Sequence, residues 1–142
     1  MIWNYIICIV LIIIVSSIYS IHSIQINRIE GFSSKHIVLL GDSILKNDTY
    51  VKPNQNITKL LEQKGYVINC LAKDNALVEN MYSQINHFKD INTDAYYVIS
   101  AGGNNILQHR DMDVAFREYK HFVTRLAKYI LRDKIILCTI YY

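Results

Sequence analysis

Four short apolar runs, each stopped by a polar turn, constrain this chain most. "HIVLL" (36–40) ends at Gly41, and "YVINCLA" (66–72) ends in Lys73-Asp74-Asn75. "AYYVIS" (95–100) runs into "AGGNN", and "KIILCTI" (134–140) comes last. Continuous apolar runs of this length read as strands buried on both faces, which is the habit of parallel sheets. Between them the apolar period changes to that of a helix. "PNQNITKLLEQKG" spaces Ile57, Leu60 and Leu61 helically, with Pro53 to open and Gly65 to close. "ALVENMYSQINHF" sets Leu77, Met81 and Ile85 on one face. "VAFREYKHFVTRLAKYILRD" (114–133) sets Val114, Tyr119, Phe122, Leu126 and Ile130 along one stripe. Strand and helix in alternation predict an α/β fold, a flavodoxin-like three-layer sandwich around a parallel sheet. Its crossovers are right-handed, with helices on both faces.

The front of the chain is of another kind. Residues 1–21, "MIWNYIICIVLIIIVSSIYSI", carry no charged side chain, and the first charge in the sequence is Arg28. From Ile2 to Ile21 a helix would run about 30 Å, enough to cross a bilayer core. Trp3, Tyr5 and Tyr19 flank that run, as interfacial aromatics do. No Lys or Arg precedes it and no small-x-small site comes after it, which favours an uncleaved anchor over a cleaved signal or a buried helix. The expected organisation is a membrane anchor or signal over 1–24, a linker over 25–34 and one domain over 35–142. The expected localisation is single-pass membrane, with secretion as the alternative. Arg28 and Lys35 favour a cytoplasmic domain, and the signal-like position of the apolar segment favours the other side.

Composition narrows the function classes. The 142 residues carry a net charge of +3, and 19% are charged, below the average of about 25%. The late basic residues Arg117, Lys120, Arg125, Lys128, Arg132 and Lys134 are spaced for the wet side of a helix, so nucleic acid is not an expected partner. The three cysteines form no Cys-x-x-Cys pair and read as core thiols. Asn47-Asp48-Thr49 and Asn56-Ile57-Thr58 are glycosylation sequons, meaningful only in a secretory lumen. No Gly-x-Gly-x-x-Gly or Gly-Lys-Ser/Thr motif supports a nucleotide or flavin site.

In such sheets function gathers at the carboxyl ends of the strands. There stand Gly41-Asp42-Ser43, Asp74-Asn75-Ala76 and Gly102-Gly103-Asn104-Asn105. A serine at a tight strand-to-helix turn can present its hydroxyl to a ligand, with backbone N–H groups beside it. Gly-Asp-Ser is also an ordinary turn sequence. Gly102 and Gly103 let the backbone approach a ligand, and Asn104 carries an amide able to stabilise an oxyanion.

The stretches "VLLGDSIL" and "YYVISAGGNNIL" resemble the first and third sequence blocks of the SGNH/GDSL hydrolases. "NCLAKDNALVENM" resembles the second, where that family has Ala-x-Asp-Gly-Ala-Thr. The likeness runs from His36 to the end of the chain. It implies Ser43 as nucleophile on an acyl ester, of a lipid or an acetylated sugar. It implies an oxyanion hole from the Ser43 and Asn75 N–H groups and the Asn104 side chain. Asp42 would hold the turn, and no metal or cofactor is implied.

The sequence departs from the pattern in three places. Asn75 replaces a Gly, a change a left-handed backbone tolerates in Asn. Asn105 replaces an Asp, removing a charge expected to brace the loop. No Asp-x-x-His block, the family's acid and base, comes after the fourth strand. The expectation is a C-terminally shortened fold, inactive or slow unless a further segment or a second chain supplies that block. Among the histidines, His36 begins the first strand, His87 ends the second helix, and His121 lies within the third. Only His109 comes after a functional turn. The competing expectation is a catalytically dead, membrane-anchored binding module.

Overall fold

The computed structural model describes residues 36–85 and 88–138. The expected anchor, the linker and His87 lie outside them. No helix of the described residues is long and apolar enough to cross a membrane.

Strands β1 (His36–Gly41), β2 (Val67–Cys70), β3 (Tyr96–Ser100) and β4 (Ile135–Leu137) form a parallel sheet in the order β2-β1-β3-β4. Leu39 stands opposite both Cys70 and Val98, and Gly41 opposite Ser100. Ile136 stands opposite Val98 on the far side of β3. β1 is buried from Val38 to Gly41, as its unbroken apolar run requires. β2 is shorter than its apolar run, because the Leu71 and Ala72 amides both turn to the Leu39 carbonyl (2.9 and 3.0 Å) and the chain leaves the ladder.

Helix α1 (Ile57–Gln63) begins at Asn56, whose side chain accepts from the Lys59 amide at 2.7 Å. That acceptor satisfies an otherwise orphan N–H, so Asn56 and not Pro53 sets the start. Gly65 does close it: at φ +87° its amide bonds the Glu62 carbonyl (2.9 Å) and the Tyr66 amide the Leu61 carbonyl (3.2 Å). The second predicted helix is broken into a 3₁₀ turn, Val78–Asn80, and the short α2 (Met81–Gln84). Leu77, Met81 and Ile85 are nonetheless all buried.

After β3 come α3 (Gly103–Leu107) and α4 (Met112–Leu126), the latter capped by Asp111, which accepts from the Val114 amide at 3.0 Å. Phe122, Leu126 and Ile130 are buried as predicted, but Val114 is 44% exposed. Ala115, two turns before Phe122, takes the inward place, and Val114 stands about 100° away from it around the helix.

Helices cover both faces. On one, Val38, Leu40, Tyr97 and Ile99 meet Met81, Ile85, Phe122 and Leu126. Phe122 lies edge-on to Tyr82 (5.3 Å) and to Phe88 (5.8 Å), whose ring also carries the Arg125 guanidinium at 4.5 Å. On the other face a smaller core joins Leu39, Leu45 and Ala72 to Ile57 of α1. Truncating Phe122 to alanine should destabilise the domain by about 3–5 kcal/mol, read as a lower urea midpoint at unchanged slope.

Candidate active site

The three polar turns do converge on one edge of the sheet, and they are bonded to one another. Gly41 ends β1 at φ +131°, and a Cβ there would collide with the Ser100 carbonyl oxygen. Only glycine passes so close to β3. The next amide, of Asp42, then bonds that same carbonyl at 3.0 Å.

Asp42 is a buried carboxyl group. Its Oδ1 accepts from the Ile44 amide (3.0 Å), and its carbonyl accepts from the Leu45 (3.1 Å) and Lys46 (3.0 Å) amides. The result is one closed turn with Ser43 at its crest. The sequence suggested a strand-to-helix turn at Ser43; instead the turn closes on itself, and α1 begins only at Ile57. Ser43 is half-buried, and no described side chain hydrogen-bonds its hydroxyl.

Asn75 adopts the left-handed conformation (φ +57°) that its position demands, and it is exposed to solvent. Ala76 comes next, and its carbonyl accepts from Asn104 Nδ2 at 3.0 Å. That bond fixes the Asn104 carboxamide and leaves the second N–H of the same nitrogen for another acceptor. Gly102 needs to be glycine for its φ of +112°. Gly103 does not: a Cβ there would make only ordinary contact, 3.8 Å from Asp42 Oδ2.

Asn105 proves to be a brace after all. It is 2% exposed; its Oδ1 accepts from the Val78 amide (3.0 Å) and its Nδ2 donates to Glu79 Oε2 (3.3 Å). The amide does the bracing, and the carboxylate expected at this position stands instead on Glu79.

Sequence reasoning missed Gln84. Its Oε1 accepts from the Gly41 amide and its Nε2 donates to the Gly41 carbonyl, both at 2.7 Å. The signal was present only as a polar residue one position before Ile85 on the inner face of the helix.

The backbone donors divide sharply. The amides of Asp42, Ile44, Leu45 and Lys46 are all bonded, as are those of Lys73, Ala76, Leu77 and Val78. The Ser43, Asp74 and Asn75 amides have no acceptor among the described residues. No described histidine bonds Ser43. His36 opens β1 at the opposite end of the sheet, and His121 meets the Tyr82 hydroxyl at 3.0 Å. His109 lies exposed beyond α3 at φ +53°.

Burial raises the Asp42 carboxyl above its ordinary range, opposed by the Ile44 amide and its own. The folded protein therefore holds that proton more tightly than the unfolded chain. This contribution to stability is full below the ordinary carboxyl range near pH 3.8 and is lost as pH rises through the raised value. Asp42→Asn keeps the acceptor for Ile44 and should flatten that limb, whereas Asp42→Ala should cost about 1–3 kcal/mol at every pH. Thermal melts of both variants from acid to neutral pH check this.

No protein-family model and no curated protein matches the sequence. Solved structures do match. AlinE4, an SGNH-hydrolase family esterase, is 18% identical at a TM-score of 0.57, covering 73% of this chain and 58% of that one. A member of the lipolytic G-D-S-L family from Veillonella parvula is 18% identical at 0.58, with 72% and 56% covered. TesA is 16% identical at 0.58, with 75% and 61% covered. The chain thus spans less than two thirds of the length of each. With β2-β1-β3-β4 in parallel and the three turns at its carboxyl edge, the described domain has the α/β fold of the SGNH/GDSL hydrolases.

Proposed function

We propose that this chain carries the nucleophile half of an SGNH-type serine hydrolase site for acyl esters. One observation carries the reading. Between Asp42 and Lys46 only the Ser43 amide has no acceptor among the described residues, and the Asn75 amide, like that of Asp74 beside it, has none in the loop that Asn104 holds at Ala76. The other amides of the serine turn are consumed by the fold. A donor aimed at a developing oxyanion is worth roughly 2.7–4 kcal/mol.

In this reading Ser43 Oγ attacks the ester carbonyl carbon. The oxyanion that forms is held by the Ser43 and Asn75 N–H groups and by Asn104 Nδ2. The acyl–oxygen bond then breaks, the alcohol departs with a proton, and water releases the acyl group from Ser43. The proton of Ser43 needs a base, and loss of the base from such a site costs a factor of about 10⁴–10⁶ in rate. An Asp-x-x-His segment, on a longer product or a second chain, would supply it. The apolar front of the sequence would hold the domain at a membrane, in reach of lipid esters.

A second reading, a binding module without turnover, is favoured by the lack of any described histidine bonded to Ser43. Covalent labelling separates the two. A fluorophosphonate probe should label Ser43 slowly in the 142-residue chain, faster when the chain is extended by an Asp-x-x-His segment, and not at all in Ser43→Ala. Failure to label either form would overturn the hydrolase reading, and retention of an acyl ligand without turnover would then select the binding module.

A further inference from the structure

We infer that Gln84 is the positioning residue of the Ser43 turn, holding the nucleophile in register with the Asn75 loop. In its functional consequence this rests on the proposed role of Ser43; in its geometry it stands alone.

The pairing of β1 with β2 ends at Leu39 and Cys70. Beyond that point the Gly41 peptide has no strand on its β2 side, yet Gly41 is buried. A buried amide without an acceptor is costly to leave unpaired. The Gln84 carboxamide, 5% exposed, supplies an acceptor and a donor together, at 2.7 Å each. It stands where a strand's peptide group would. The Gly41 carbonyl also accepts from the Lys73 amide at 3.0 Å, so the start of the Asn75 loop shares the same anchor.

Few side chains could do this. Asparagine is a methylene shorter, methionine lacks both polar groups, and an ionised glutamate has no hydrogen for the Gly41 carbonyl. Gln84 closes α2, whose Met81 is fully buried. The segment leading into α2 is held by Asn104 at Ala76 and by Asn105 at Val78. The serine turn, the Asn75 loop and the Asn104 helix are therefore referred to one fixed element. Gly41 lies two residues before Ser43, so releasing its peptide moves the hydroxyl relative to both other donors.

Gln84→Glu and Gln84→Met test this. A carboxyl facing the Gly41 carbonyl can make both bonds only when protonated, and burial favours that form. Around it, Asp42, Asp90 and Tyr97 are the ionisable side chains of the surrounding elements, with Lys73 at the loop above. Each variant is therefore compared with the unaltered protein at the same pH.

The expected result for fluorophosphonate labelling of the Asp-x-x-His-extended chain is a fall of about 10–100-fold in both variants at pH about 8. Gln84→Glu should recover towards the unaltered rate near pH 5, and Gln84→Met should not. Equal rates in all three proteins would overturn the inference, as would equal loss in both variants with no recovery. If the unaltered protein fails to label, the hydrolase reading fails, and amide exchange decides on Gln84 separately. The Gly41 amide should then exchange faster in Gln84→Met while that of Ile99 is unchanged, and equal exchange at Gly41 would sink the assignment.

Discussion

Everything at the candidate site depends on how closely β1 passes β3. Gly41 lies against the Ser100 carbonyl with no room for a side chain between them. Because that carbonyl also accepts the Asp42 amide, the chain must turn there. The turn needs its own acceptors, and Asp42 supplies them from its carboxyl group and its carbonyl. Ser43 is left at the crest with an amide the fold does not use. A steric constraint at one glycine thus becomes an open donor two residues later.

The same economy of acceptors runs through the other two turns. Buried polar groups are expensive unless bonded, and here polar side chains do most of the bonding. Gln84 takes both groups of the Gly41 peptide, Asn104 holds the Ala76 carbonyl, and Asn105 holds the Val78 amide. Three carboxamides fasten three loops. This explains how Asn105 can stand where a carboxylate was expected. The loop needs an acceptor for the Val78 amide, which an amide oxygen provides, while Glu79 carries the charge at the solvent side.

The far side of the sheet is built differently. β4 is short, and Ile136 and Leu137 remain 46% and 48% exposed on opposite faces. Parallel sheets ordinarily bury both faces. Phe116 and Met112 of α4 are exposed as well. Among the described residues exposed apolar side chains thus stand on α4 and β4, as they do on α3 at Ile106 and Leu107. More than a third of each related solved structure has no counterpart in this chain. The buried strand residues lie on β1 and β3, with one core on each face of the sheet.

The sequence by itself determined the parallel α/β plan, the order of its elements and the three turns that carry polar chemistry. Those are written in local terms: apolar runs of strand length, helical spacing, glycines at stops. It also determined that residue 75 must tolerate a left-handed backbone, because Asn stands where a turn needs one. Only the tertiary structure decided where helices break, as the second helix does at Met81. It decided, too, that Gly103 is dispensable on steric grounds while Gly41 is not, because the atoms that would clash come from residues far apart in the chain. Gln84 was illegible in the sequence for the same reason. A glutamine on a helix is ordinary, and its worth lies in a peptide group 43 positions away that has lost its neighbouring strand.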